Sequence, residues 1–245
     1  MELLVGLGLV VLISAGVFIP LERRFPHPAD GLTALSGWAA LACLGLFVVN
    51  SLAMRALAGP LASIVGGPPV AATTLRVLAV VVLGDLLGYA MHRLMHAHPL
   101  LWRFHRLHHQ PTRLTWLVAW RQHPLDFIFH GLAVGLPAAV LGVDLSTVGA
   151  LVLARKLWTS FLHADVRVRF GWLEGIVATP AFHRVHHSPD PRCRNRNFAG
   201  TLPIWDVLFG TRLDDSGPPG AGRGPPAGES RAPCPTPDPC CRRSA

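Results

Sequence analysis

Four long apolar stretches, at residues 2–20, 34–58, 75–91 and 126–162, leave this chain of 245 residues few ways to fold. A run of about 20 apolar residues can satisfy its own backbone away from water only as a helix, and it needs a bilayer or a large core to bury its sides. Charge is too scarce for a soluble surface. Only 15% of the residues are charged and 51% are hydrophobic, where soluble domains carry about 25% charged residues. The expected fold is all-α, a polytopic transmembrane helical bundle of about three spans plus a helical hairpin, with a cytosolic helical cap.

The flanks of the runs give an orientation. The run at 2–20 has no basic segment before it and no small-residue cleavage site after it, so it reads as a retained helix rather than a signal peptide. Arg23 and Arg24 follow and place that end in the cytoplasm by the positive-inside rule. Residues 59–73, rich in Gly, Pro and Ala, read as an extracytoplasmic loop. The run at 75–91 then returns to the cytoplasm and carries one acid, Asp85. In the 126–162 run, Gly142-Val143-Asp144-Leu145-Ser146 supplies a turn, which makes a tilted hairpin. Residues 163–212 are more polar and form the cap. The expected organisation is 1–73, two transmembrane helices and a loop; 74–213, a catalytic unit; and 214–245, a disordered Pro/Gly-rich tail.

The net charge is +8, and all but one of the basic residues are Arg. They sit at the ends of apolar runs and around histidines, which fits contact with anionic headgroups and argues against nucleic-acid binding. Five cysteines, three of them in the tail (Cys234, Cys240, Cys241), make no disulfide framework.

Histidine carries the chemistry. His92-Arg93-Leu94-Met95-His96 is an HxxxH; His105-Arg106-Leu107-His108-His109 and His183-Arg184-Val185-His186-His187 are each an HxxHH. On a helix, positions i, i+3 and i+4 share a face. His92 and His96 therefore point one way, as do His105, His108 and His109, and His183, His186 and His187. Neutral imidazole is the commonest metal ligand and suits iron, zinc, copper and nickel. Eight such ligands exceed the need of one ion, so two metals are expected, with about four nitrogens each. A histidine-rich surface or pH sensor is the alternative, but neither requires the repeated helical spacing. His163, at the end of the hairpin, is a candidate ninth ligand. Asp85 lies two turns before His92 on the same face and is a candidate acceptor for an imidazole N–H, as are Asp126, Asp165 and Asp190 with less reason. His123 starts the hairpin and is a candidate to support a ligand; His98 and His130 read as interfacial or packing residues, and His27 as a loop residue.

HRLMH, WRFHRLHH, HPLD, FLHADV, TPAFHRVHH and NFAG…IWDVLFGT, taken together, resemble the fatty acid hydroxylase / sterol desaturase superfamily of membrane di-iron enzymes, over about Asp85 to Thr211. The resemblance implies a cytosol-facing centre of two iron ions that uses O2 and electrons to hydroxylate or desaturate a lipid. It places ligands on His92, His96, His105, His108, His109, His183, His186 and His187, with His163 matching a further ligand of some members. Those members carry another histidine four residues earlier, where this chain has Thr159.

No Gly-rich dinucleotide fingerprint, haem-attachment motif or iron–sulfur spacing is present, so the electrons are expected from a separate ferredoxin- or cytochrome-type protein. Arg103, Arg106, Arg113, Arg121, Arg184, Arg192, Arg194 and Arg196 form a candidate docking face for it, or a face for lipid headgroups. Trp102, Phe104 and Trp116 are candidates to line a lipid's approach between the third helix and the hairpin. The leading expectation is a lipid hydroxylase. The alternatives are a desaturase of the same superfamily and a metal-binding or transport protein without catalysis.

Overall fold

The computed structural model describes residues 2–26, 37–65, 73–111 and 113–214. The calls made on His27 and on the tail from 215, with its cysteines, lie outside the described residues. Those described residues contain eight α-helices and no strand; their one β-like contact is an isolated antiparallel bridge between Pro26 and Val166. In chain order the helices are α1 (Glu2–Arg24), α2 (Gly37–Val65), α3 (Thr74–Ala97), α4 (Pro99–His109), α5 (Pro124–Val140), α6 (Leu145–His163), α7 (Pro180–His186) and α8 (Ile204–Leu208).

Two boundaries differ from the sequence reading. α2 runs on to Val65, so 59–65 is helix rather than loop. Pro60 removes one backbone hydrogen bond, but the alanine- and leucine-rich residues around it favour helix enough to carry the turn through. α1 likewise continues through Pro20 to Arg24. The remaining ends follow local chemistry. Thr73 caps α3 by accepting from the Arg76 N–H, and Asp144 caps α6 by accepting from Thr147. His123 caps α5 through Nδ1, which accepts from the Leu125 N–H at 3.2 Å. Its role is thus to start a helix, with its ring against Phe104.

α3 is long and apolar enough to cross a membrane; among the described residues Gly37–Ala53 and Pro124–Val140 are shorter apolar helices. α3 packs most extensively on α5, and α2 packs on α5 and on the 3-10 turn Trp116–Trp120. The α3–α5 approach depends on Gly84, where a Cβ would lie 3.3 Å from the Ala133 carbonyl oxygen. A core of Phe18, Phe47, Trp116, Trp120 and Val166 joins α1, α2 and that turn to the segment after α6. Glu22 fastens the same junction, accepting from the Trp116 N–H at 2.8 Å and the Asp165 N–H at 3.0 Å. α4, α7 and the segment 191–211 gather at the C-terminal ends of α3 and α6, where the histidines are.

Candidate metal centre

Each histidine sits at a helix end or on a short helix that faces the others. His92 and His96 close α3, the middle cluster lies on α4, His163 ends α6, and the last cluster lies on α7 with His187 as its cap. Their ring nitrogens converge on two points. His92, His96, His105, His109 and His186 form one group; His108, His163, His183 and His187 form the other, and within each group the donor atoms lie within 4.8 Å of one another. All nine sequence-nominated ligands, His163 included, are brought together in these two groups. The division is five and four, and each HxxHH is shared. Residues four apart (His105 and His109; His183 and His187) join one group, and the residue between them in each motif (His108; His186) joins the other.

The tautomers follow from the hydrogen bonds of the outer nitrogens. His92 Nδ1 donates to the Phe198 carbonyl at 2.8 Å, His108 Nδ1 to Arg121 at 3.3 Å, His163 Nδ1 to Thr159 at 2.8 Å and His186 Nδ1 to Arg196 at 2.8 Å. His105 Nδ1 meets the Asp126 carboxylate at 3.1 Å. In these five rings the Nδ1 hydrogen is engaged, so Nε2 carries a bare lone pair.

Those lone pairs face one another. Nε2 of His92 and His105 are 3.1 Å apart, and Nε2 of His108 and His163 2.9 Å apart. Two acceptors at that distance repel unless a cation lies between them. A metal ion bound by both nitrogens of each pair would remove that repulsion. Among the described residues, the buried ring nitrogens His96 Nε2, His183 Nδ1 and both of His187 have no hydrogen-bond partner. Buried polar atoms are rarely left so. The donor set fits two metal ions.

Burial keeps the ligands ready. It pushes His108, His109, His183 and His187 well below the usual histidine range and His186 down to about 3, and neighbouring imidazoles add to the effect. Neutral imidazole, the form that binds metal, is thus held at neutral pH.

The groups that orient the ligands come from far along the chain. Asp126, fully buried on α5, fixes His105, and His130 lies 3.0 Å from its other oxygen. Asp85 does not touch an imidazole: it accepts from the Leu202 N–H at 2.9 Å and Trp205 Nε1 at 3.0 Å and pairs with Arg155 at 3.4 Å. It clamps the 198–205 segment onto α3, because that segment's donors reach Asp85 before any imidazole does. Asp165 pairs with Arg113 and Arg184, and Asp190 with Arg192. Two residues went unnoticed in the sequence. Asn197, at φ 57, turns the chain and ties it to Phe182 and Leu213, while Asp206 accepts the Phe198 and Ala199 N–H groups at 2.8 Å. Together they aim the Phe198 and Arg196 carbonyls at His92 and His186. Both lie in NFAG…IWDVLFGT, whose buried acid and amide were the available signal.

A cavity of about 790 Å³ runs from His92, His105, His108, His163 and His183 to the α5–α6 turn. Its walls are mostly aliphatic, from α5 and α6, with Phe47 of α2 and Gly88 of α3. Trp102, Phe104 and Trp116 do not line it. Trp102 stacks near His96 and His109, Phe104 lies against His123, and Trp116 is in the core with Phe18. The α4 residues on the cavity are His105 and His108, and its aromatic residues lie off that path.

The family model described as fatty acid hydroxylase matches residues 77–211, more than half of the chain. An ornithine lipid hydroxylase, OlsE, of Rhizobium tropici is 41% identical over 127 residues, covering 50% of this chain and 37% of the relative. The alkylglycerol monooxygenase of Homo sapiens is 35% identical over 128 residues, 50% of this chain and 27% of its own length. A very-long-chain aldehyde decarbonylase, GL1-11, of Oryza sativa subsp. indica is 29% identical over 143 residues, 57% and 53% of the two chains. The aligned part thus spans about a third of the first two relatives and about half of the third. No solved structure matches. With its histidines, their order and this match, the chain belongs to the fatty acid hydroxylase family.

Proposed function

We propose that this protein is an integral membrane oxidoreductase that hydroxylates an alkyl C–H bond of a lipid at a centre of two iron ions, using O2. The observation that carries the reading is the pairing of nine converging imidazoles with an aliphatic cavity that ends on five of them. Zinc in such a site would have no redox chemistry, and the relatives are named as hydroxylases and monooxygenases. Iron bound there would supply O2 activation and attack on the C–H bond. One oxygen atom enters the lipid; the other leaves as water with two protons and two electrons from an external donor.

The protein's own part is positional. The backbone carbonyls and Asp126 hold the imidazoles in one tautomer, so the centre does not reorganise as charge changes. The aliphatic walls of α5 and α6 bind the chain and keep water from the reacting carbon. α3 would span the bilayer with its histidine end at the cytoplasmic surface, and α5–α6 would form a hairpin beside it. For the electron donor, five of the eight arginines nominated earlier are engaged within the chain: Arg113 and Arg184 pair with Asp165, Arg192 with Asp190, Arg121 bonds the Leu107 carbonyl and Gln110, and Arg196 bonds the Gly210 carbonyl. Arg103 and Arg106 are exposed on α4, whose other face carries three ligands. We place a ferredoxin- or cytochrome-type partner there.

The test is turnover under 18O2 by the purified, iron-loaded protein with a chemical or protein reductant and a panel of lipids. The expected product is heavier by one labelled oxygen, and a His108→Ala control gives none. A product lighter by two hydrogens would make the protein a desaturase. Bound metal without lipid-dependent O2 uptake would make it a metal-handling protein.

A further inference from the structure

The chain contains a single lysine, Lys156, on α6. It lines the cavity rather than an outer surface. It also shares a helix face with His163, two turns and about 10 Å before it at 1.5 Å per residue. An ammonium in an aliphatic cavity is costly unless something there answers it. Its neighbour Arg155 is answered by Asp85, and its guanidinium fills the space left by Gly88 and Gly200. Lys156 differs. Among the described residues its Nζ has one hydrogen-bond acceptor, the Ala119 carbonyl at 2.7 Å, and no carboxylate in pairing range. The rings of Phe47 and Phe127 lie 5.8 and 5.6 Å away. An ammonium has three hydrogens to donate.

The cavity is also graded along its length. One end is histidine. Gln122, Thr159 and Lys156 follow. Beyond them the lining is mostly aliphatic, Leu136, Ala138, Ala139, Val143, Val148 and Val152, with Asp144 at the α5–α6 turn occupied in capping α6. From Gly149 to His163 the wall covers about 21 Å of helix. An amphiphile fits this gradient one way round, with its hydrocarbon tail toward the turn and its polar end toward the histidines.

We propose that Lys156 is a substrate-positioning residue: its ammonium binds the linkage oxygen of an ester- or amide-linked lipid and so sets the oxidised carbon by distance from that linkage. This rests on the lipid-oxidising reading above and adds the substrate class and the site of attack. Lys156 marks the boundary between tail and head, and the carbon presented to the histidines lies at the linkage or on its head-group side. Tail length then changes how much of the aliphatic end is filled, without moving the carbon that is oxidised.

Two measurements on the iron-loaded protein test this. In the first, anaerobic equilibrium binding compares a monoacylglycerol with an n-alkane of equal length, for wild type, Lys156→Met and Lys156→Arg. A lost charge-assisted hydrogen bond should weaken monoacylglycerol binding by about tenfold or more in Lys156→Met. Alkane binding and iron content should stay unchanged, and Lys156→Arg should restore most of the loss. Equal weakening for both ligands, or none, overturns the proposal, since a structural or purely apolar role predicts that result. In the second, the oxidised position is mapped for monoacylglycerols of several tail lengths. A position constant from the linkage supports the proposal; one constant from the methyl end overturns it. The binding measurement needs no turnover. Absence of a selective loss in Lys156→Met therefore counts against Lys156, whereas a selective loss with no oxidation by wild type counts against the lipid oxidase reading instead.

Discussion

Asp126 shows what one carboxylate does here. It is fully buried, and its Oδ2 takes the Nδ1 hydrogen of His105, so that ring presents Nε2 to the five-histidine group. Removing such an outer partner typically costs about 10–100-fold in metal affinity. Asp126→Ala should therefore lower the iron retained by both groups after dialysis against a weak chelator, as read by metal analysis. The four-histidine group should weaken with it, although its own rings lean on the Arg121 and Thr159 carbonyls, because α4 and α7 supply rings to both groups. The ligands themselves were legible from sequence, since HxxxH and HxxHH are local patterns that a helix converts directly into a shared face. Asp126 stood only among several candidate acceptors, because it lies 21 residues from His105 and the packing of α5 is what brings the two together. Asp85 shows the same limit from the other side. Its position on the face of His92 suggested an imidazole partner, but the segment around Leu202 and Trp205, more than a hundred residues on, takes its oxygens.

The helices make that packing possible by how closely they approach. α3 and α5 meet at Gly84, with no room for a side chain against the Ala133 carbonyl and Val134. Gly84→Val would push the two helices apart, and overpacking of this kind costs about 1–3 kcal/mol. The expected result is a lower thermal midpoint in detergent, together with loss of iron, since α5 carries Asp126 and α3 carries His92 and His96. A fall in stability with full iron content would separate helix packing from the centre. The hydrophobic runs predicted that α3, α5 and α6 exist, and the Gly142–Ser146 turn predicted where the hairpin bends. They did not predict that α2 continues past Gly59-Pro60, because a Gly-Pro pair signals a stop that the helix-favouring residues around it override.

Across the whole molecule, polarity separates into two regions. The histidines and the arginines of α4 lie at one end, and the aliphatic channel of α5 and α6 leads away from them. A donor arriving at the exposed side of α4 would meet Arg103 and Arg106 directly behind three ligands. Charge at a surface contact chiefly sets the rate of encounter and is screened by salt. Arg103→Glu with Arg106→Glu should slow reduction by an acidic donor several-fold at low ionic strength. The gap between mutant and wild type should close as salt rises, in stopped-flow measurements. A gap that persisted at high salt would place the donor elsewhere. The arrangement of α4 and α7 has one more outcome. Each short helix offers two rings to one histidine group and a single ring to the other, in opposite senses, so two bound ions would grip both helices. Neither ion can settle without drawing both helices into the register that its neighbour also needs. Filling should thus be concerted, with half-loaded chains scarce, so that the centre is either assembled for two-electron work or not assembled at all.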